Sequence, residues 1–375
     1  MDGISIWQKN KTFDWGLLIL IFLLVAFGLI VQYDLSFSAN FSFFTSNFGR
    51  QLIFSLIGLV FIFVFSRFDF RLFRSISYVL YGLSLLALVA VLIFGKTFHG
   101  VRGWLSFGIF NFQLVEFAKL TSILALASFW QKTIRPLPFS RILLSLLFVA
   151  PPMILVVLQP DVGSALILFL TWLGIILLVD NNWKYITIIL VAIILVVILV
   201  YFFGLRPYQR DRITTYFNPN QDPLGRGYQI AQSKLAIGSG GIFGRGLALT
   251  SHSSFASLPA AQTDFIFAAI AQRAGLLGCL IIFALFFLIF SRLIKLIQKI
   301  YDNFALILVV GISINFFIHF VLNIGMNLGF VPIIGIPLPF LSYGGSYLLI
   351  SFIFIGLIES VNVHRLFINQ EKDII

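Results

Sequence analysis

Long apolar runs recur along nearly the whole length of this chain and limit the folds it can adopt. Most of these runs have about 18 residues or more, the length at which an α-helix can cross a hydrocarbon core of about 30 Å. We predict ten membrane spans, at residues 15–33, 50–66, 76–95, 113–130, 142–159, 163–181, 185–204, 264–291, 303–328 and 339–361. The predicted fold class is therefore all-α, a polytopic integral membrane protein of about ten transmembrane helices in a single domain, 1–375.

Composition agrees with a membrane protein. Hydrophobic residues make up 60% of the chain and charged residues 10%, against about 45–50% and about 25% in soluble domains. The single cysteine, Cys279, lies within a predicted span, so an intrachain disulfide is excluded. The first apolar run is too long for a signal peptide and lacks a small-residue cleavage site, so we expect no cleavable leader.

Basic residues concentrate in alternate loops, which predicts the orientation of the chain. The residues on the basic side are Lys9, Lys11, Arg67, Arg71, Arg74, Lys132, Arg135, Arg141, Lys184, Arg292, Lys295, Lys299, Arg365 and Lys372. By the positive-inside rule this side is cytoplasmic, and ten spans place both termini there. The net charge of +11 is then explained by attraction to anionic membrane lipid, and nucleic-acid binding is not indicated.

One connection is long and is predicted to lie outside the cytoplasm, at about residues 205–263. It contains an amphipathic segment at 229–237, which favours a helix lying on the interface, and a glycine-rich run at 238–246. The run does not end in a Lys-Ser/Thr pair and no strand precedes it, which argues against a nucleotide-binding loop. Tight backbone turns explain the glycines more simply.

Asp264 is the first candidate for a catalytic residue. It ends the long loop, and a strongly apolar stretch begins directly after it. An ionisable group at the edge of a membrane is costly unless it is used or paired, so we expect it to be functional. The alternative is that Thr263 and Asp264 only cap the helix that follows.

Three further places put polar groups where a bilayer disfavours them. Glu116 and Lys119 are three residues apart and can form an ion pair, which could be structural or could present Lys119 to an anionic head group. Asp161 follows Pro160 and could bind substrate or cap the next helix. The segment 337–346, with two prolines and a Gly-Gly pair, predicts irregular backbone around Ser342, a candidate substrate contact. Asn323 and Asn327 could hydrogen-bond into that segment.

Several motifs together resemble one family. They are YQR at 208–210, DPLG at 222–225, QSKLAIGSGG at 232–241, LP at 258–259, TDFIF at 263–267 and the segment 337–346. In this order they resemble the SEDS family (shape, elongation, division and sporulation), over roughly residues 14–365. Within it the chain resembles the rod-shape branch more than the division branch.

The resemblance implies a peptidoglycan glycosyltransferase that polymerises lipid II on the outer face of the cytoplasmic membrane. It also implies a class B penicillin-binding protein and the elongation machinery as partners. The family's essential aspartate falls on Asp264, a candidate general base. Arg210, Arg212, Lys119 and Arg102 are then candidates to hold the pyrophosphate of the donor. No compact metal-ligand set is evident, although a divalent cation (Mg²⁺ or Mn²⁺) could share that task.

The chain also departs from the family pattern, which keeps other functions open. Ala260 and Gln262 replace an acidic residue and a histidine before the aspartate, and Gln272 and Arg273 replace an acidic pair after it. Arg102 lies one position before the usual arginine. These changes support one alternative, a weakly active scaffold for the penicillin-binding protein. A second alternative is a lipid II flippase, which would need charged residues along a path through the membrane centre, whereas those found here cluster near its outer edge.

Overall fold

The computed structural model describes residues 13–36, 43, 46–98, 100–107, 110–132, 138–179, 187, 226–246 and 260–372. We number the helices α1 (Trp15–Ser36), α2 (Asn47–Arg67), α3 (Phe70–Phe94), α4 (Leu114–Trp130), α5 (Phe139–Ser145), α6 (Ala150–Leu158), α7 (Val162–Val179), α8 (Arg226–Ser239), α9 (Ile266–Ile297), α10 (Asn303–Leu328) and α11 (Gly345–Lys372). A short 3₁₀ helix, Leu146–Phe148, joins α5 to α6.

The predicted all-α membrane fold is confirmed. Within the described residues, seven helices are long and apolar enough to cross a bilayer, namely α1, α2, α3, α7, α9, α10 and α11. The predicted span 142–159 is a pair of helices, α5 with its 3₁₀ extension and α6, bent by 41°. Two prolines lie in the first turn of α6. Because proline has no backbone N–H to donate, these residues cannot continue the preceding helix. The predicted span 113–130 is the 17-residue, largely buried α4. The predicted span 185–204 lies outside the described residues.

A small antiparallel sheet, which was not predicted, joins α3 to α4. Its strands β1 (Lys96–Phe98), β2 (Val101–Phe107) and β3 (Phe110–Gln113) pair in sequence order, with Trp104 opposite Gln113. The main-chain N–H of Arg102 donates to the carbonyl of Gln159 at 3.2 Å. This bond holds the sheet against the end of α6.

The last span begins later than predicted, at Gly345 rather than residue 339. Residues 331–344, here called the proline loop, are irregular because prolines cannot continue a helix and Gly335 has a φ of +75°. Most of the second half of this loop, residues 336–342, is buried inside the protein. Asn323, Gln32 and Gln51 donate side-chain hydrogen bonds to its carbonyls at 2.7–3.0 Å, which satisfies backbone that lipid could not.

The glycine-rich run packs into a break in α9. Gly275 has a φ of +64° and interrupts the helix. The N–H groups of Leu276 and Leu277 donate to the carbonyls of Gly241 and Ile242 at 2.9 and 3.2 Å, and return bonds run from residues 245 and 246 to residues 272 and 273. The glycines therefore serve close backbone packing. The helix predicted at 229–237 is confirmed as α8, which packs on α9 and α10.

Candidate functional site

Asp264 lies in a tight turn directly before α9. The N–H groups of Thr263 and Phe265 both donate to the carbonyl of Ala260 at 3.1 Å, and Ala260 has a φ of +54°. Phe265 is the N-cap residue, one position after Asp264. Phe265 therefore occupies the N-cap position. The capping alternative had expected Thr263 and Asp264 there.

Two asparagines of α10 hold the main chain of Asp264. The Nδ2 atoms of Asn323 and Asn327 each donate to the Asp264 carbonyl at 2.9 Å. Asn327 also accepts from the N–H of Ala268 at 3.0 Å. These bonds confirm the predicted hydrogen bonding into this region. Both asparagines are fully buried, and together they support the main chain of the half-buried Asp264.

The proline loop forms the second wall of the site. A Cβ atom at Gly335 would lie 3.6 Å from Oδ2 of Asp264, so the carboxylate lies directly beside this loop. The hydroxyl of Ser342 donates to the carbonyl of Thr263 at 2.6 Å and accepts from the N–H of Leu338 at 2.8 Å. Ser342 was predicted to contact substrate. Because it is buried and both bonds go to backbone, its observed role is to join the proline loop to the Asp264 turn.

Glu116 and Lys119 form the predicted ion pair. Nζ of Lys119 lies 2.8 Å from Oε1 of Glu116, and the two side chains are only 2% and 4% exposed. Nζ also lies 3.4 Å from Nε2 of His319, while Nδ1 of that imidazole lies 3.1 Å from the carbonyl of Pro337. A carbonyl only accepts, so Nδ1 carries the proton and Nε2 accepts from Lys119.

These contacts form one continuous network beneath Asp264. It runs from Lys119 through His319 to Pro337, and from the adjacent carbonyl of Ile336 through Asn323 to Asp264. His319 was not predicted from the sequence, because a lone histidine in an apolar helix gives little signal. The signal was a spacing of four: residues 315, 319, 323 and 327 are Asn, His, Asn and Asn, one polar stripe on one face of α10.

Asp161 and Arg102 have structural partners. Oδ1 and Oδ2 of Asp161 accept from the N–H and hydroxyl of Ser164 at 3.0 and 2.8 Å, the predicted capping of α7. Gln113 also reaches Asp161, at 3.3 Å. The Arg102 guanidinium donates to the carbonyls of Ile93 and Gly95 at the end of α3, at 2.7 and 3.1 Å. The candidates Arg210 and Arg212 lie outside the described residues.

The residues that depart from the family pattern have partners of their own. Gln262 accepts from Asn47 and donates to Ser36 at 3.2 Å, so it ties the Asp264 turn to α2 and α1. Arg273 pairs with the buried carboxylate of Asp34 in α1. Among the described residues no three His, Cys, Asp or Glu side chains group closely enough to hold a metal ion.

Known proteins have sequences similar to this one. A family model for the cell cycle proteins FtsW, RodA and SpoVE matches residues 14–366. The chain belongs to this family. It is 35% identical over 309 residues to the peptidoglycan glycosyltransferase MrdB of Escherichia coli K12, covering 82% of this chain and 84% of that protein. It is 36% identical over 363 residues to a probable peptidoglycan glycosyltransferase FtsW of Trichlorobacter lovleyi, covering 93% of each.

A solved structure agrees at the level of the fold. A chain from a peptidoglycan synthase complex, in which polymerization and crosslinking are coordinated, superposes with a TM-score of 0.80 at 29% identity. The superposition covers 94% of this chain and 98% of that one. With its membrane-spanning helices, this member of the FtsW, RodA and SpoVE family is an integral membrane protein of the bacterial inner membrane.

Proposed function

We propose that this protein is a peptidoglycan glycosyltransferase that polymerises lipid II, with Asp264 as its general base. The observation that carries the proposal is the setting of Asp264. Two buried asparagines hold its main chain, and its carboxylate lies against the proline loop. Catalysis needs a base held in a fixed position, and this support provides one.

In the proposed reaction, Asp264 accepts the proton of the attacking hydroxyl. The oxygen of an acceptor sugar hydroxyl bonds to the anomeric carbon of the donor, and the bond from that carbon to the pyrophosphate oxygen breaks. Undecaprenyl pyrophosphate leaves with the bonding electrons, and the hydroxyl proton passes to the carboxylate of Asp264. General-base catalysis of this kind contributes about 10²–10⁴ in rate.

The leaving pyrophosphate needs positive charge. We propose Arg210 and Arg212 for direct contact, since the Arg102 guanidinium already donates to the end of α3. Lys119 is buried and paired, so we propose that it acts at a distance, through its charge and through His319 beneath the proline loop. A divalent cation bound to the phosphates would stabilise the same charge.

We propose that the Asp264 end of the bundle faces outward and that both termini are cytoplasmic, as the distribution of basic residues predicts. A class B penicillin-binding protein is the proposed partner. The likeness to a chain of a synthase complex that coordinates polymerization with crosslinking supports this partner. A role in elongation, with the elongation machinery, follows from the resemblance to the rod-shape branch.

The deciding experiment is synthesis of glycan strands from purified lipid II by this protein with its penicillin-binding partner, whose transpeptidase is blocked. We expect Asp264→Asn to reduce polymer about 100-fold or more. Asp69→Asn is the matched control, because it is isosteric and Asp69 only caps α3; its polymer should equal that of wild type.

The other outcomes separate the alternatives. Equal polymer from wild type and Asp264→Asn would remove Asp264 from the mechanism. An absence of polymer from wild type would favour the scaffold or the flippase. Transfer of labelled lipid II across proteoliposomes distinguishes these two, since only a flippase accelerates it.

A further inference from the structure

A second polar site lies at the end of α9 remote from Asp264. A cavity of about 180 Å³ is lined there by basic residues of α9, of the turn that follows it and of α11. They are Arg292, Lys295, Lys299 and Arg365. The part of α9 that follows its break at Gly275, residues 276–297, has 22 residues. At about 1.5 Å per residue it spans roughly 33 Å, enough to cross a hydrocarbon core of about 30 Å between the Asp264 end and this cavity.

The carboxylates around the cavity are already engaged. Asp14 lies 2.6 Å from Arg292 and accepts from the N–H of Leu17 at 3.0 Å. Glu359 accepts from the N–H of Asp14 at 3.1 Å and from Asn362 at 3.3 Å. Four cations therefore share two carboxylates, since Asp14 and Glu359 also lie within electrostatic range of Arg365, and the lining of the cavity keeps a net positive charge.

Three of these cations keep donor groups without an acceptor in the described part of the chain. Lys295 and Lys299 are exposed at the mouth of the cavity and enter no ion pair among those residues. Nε and Nη1 of Arg365 are buried and meet no hydrogen-bond acceptor there. Buried guanidinium donors without acceptors are costly, and their planar geometry suits the oxygens of a phosphate group.

The neighbouring residues place the cavity at the level of lipid head groups. Trp15, next to Asp14, is half exposed, and its ring lies 4.9 Å from that of Phe13 and 6.3 Å from that of Phe63. Tryptophan is enriched where the hydrocarbon meets water. The apolar wall of the cavity, formed by Leu17, Leu293 and Leu296, suits the start of an acyl chain.

We propose that this cavity binds the phosphate group of an anionic ligand, with Lys295, Lys299 and Arg365 as donors. The position at the interface points to an anionic phospholipid of the leaflet opposite Asp264 as the source. A defined site differs from the general attraction between a basic surface and anionic lipid, because it depends on particular side chains. The inference does not depend on the reaction at Asp264.

The test compares lipid binding by the purified full chain and two variants. The site variant is Lys295→Gln/Lys299→Gln. The control is Arg67→Gln/Arg71→Gln, which removes two exposed cations from the same end of the bundle. These residues lie near α11, because the hydroxyl of Ser360 in α11 donates to the carbonyl of Phe68. Native mass spectrometry and thermal unfolding are measured with phosphatidylglycerol, with phosphatidylcholine and with inorganic phosphate.

We expect phosphatidylglycerol to bind wild type and the control alike, and the site variant about tenfold or more weakly. Phosphatidylcholine should not distinguish the three proteins. Protection of wild type by inorganic phosphate alone would keep the site but overturn the lipid source. Equal weakening in both variants would reduce the effect to general surface charge, and no difference in any arm would remove the site; either result overturns the proposal.

Discussion

At the scale of single residues, substitutions in the buried Glu116–Lys119 pair can distinguish a structural role from a functional one. Breaking one partner of a buried pair leaves an uncompensated charge and costs about 3–5 kcal/mol, whereas replacing both can be nearly neutral. The pair is 2.8 Å apart and almost wholly buried. A structural ion pair and a catalytic cation therefore respond differently to single and double substitution.

We predict that Lys119→Met lowers both the melting temperature and glycan synthesis, and that Glu116→Gln/Lys119→Met restores most of the melting temperature. If Lys119 supplies charge to the reaction, the double variant stays at least about tenfold less active than wild type. The measurements are thermal unfolding and initial rates on lipid II. Recovery of full activity along with stability would show that the pair is only structural.

At the scale of elements, the break in α9 and the glycine-rich run depend on each other. A side chain at Gly275 would meet the main chain of Gly244 and Ile242, and the residue's φ of +64° is one that L-residues rarely adopt. The hydrogen bonds between residues 241–246 and 272–277 satisfy the backbone groups that the break releases. The conformation of Gly275 therefore holds α8 and the start of α9 together.

We predict that Gly275→Ala destabilises the protein by about 2 kcal/mol or more, because strain and steric overlap add. Gly82→Ala is the matched control, since a Cβ there meets nothing within 4 Å and alanine favours a helix by about 0.5–1 kcal/mol. Thermal unfolding in detergent measures both. An unchanged melting temperature for Gly275→Ala would contradict the proposed coupling of the break to the glycine-rich run.

At the scale of the whole molecule, the two ends of the bundle differ in character. One carries Asp264, the sheet and the proline loop, and the other carries the basic cavity and the turn between α9 and α10. Tyr301 at the second end and Phe330 at the first are 79% and 75% exposed. These two positions report which face of the membrane each end occupies.

We predict that an impermeant thiol reagent added to spheroplasts labels Phe330→Cys and leaves Tyr301→Cys unlabelled until the membrane is permeabilised. Both substitutions are made in a Cys279→Ala background, and that background alone is the blank. The reason is the positive-inside rule, which places the basic end in the cytoplasm. The opposite labelling pattern would invert the proposed orientation and place Asp264 on the wrong side for glycan synthesis outside the cell.

Much of this protein could be predicted from local sequence patterns. Apolar runs predicted the helices, because a segment in a bilayer must satisfy its own backbone hydrogen bonds. The spacing of Glu116 and Lys119 predicted their pairing, because residues three apart share a helix face. Asp161 capping α7 and the irregular backbone near Ser342 were predicted for equally local reasons.

Other features were decided by the tertiary structure, since they depend on residues far apart in the chain. The sheet needs three short segments to pair, and none of them is distinctive alone. His319 contacts Lys119 and Pro337, which lie 200 and 18 positions away in the chain. Arg273 contacts Asp34, which lies 239 positions away. Local patterns therefore predicted most of the helices and singled out Asp264. Only the packing of α10 against the proline loop decided what holds Asp264 in place, because hydrogen bonds between distant residues form only when the helices meet.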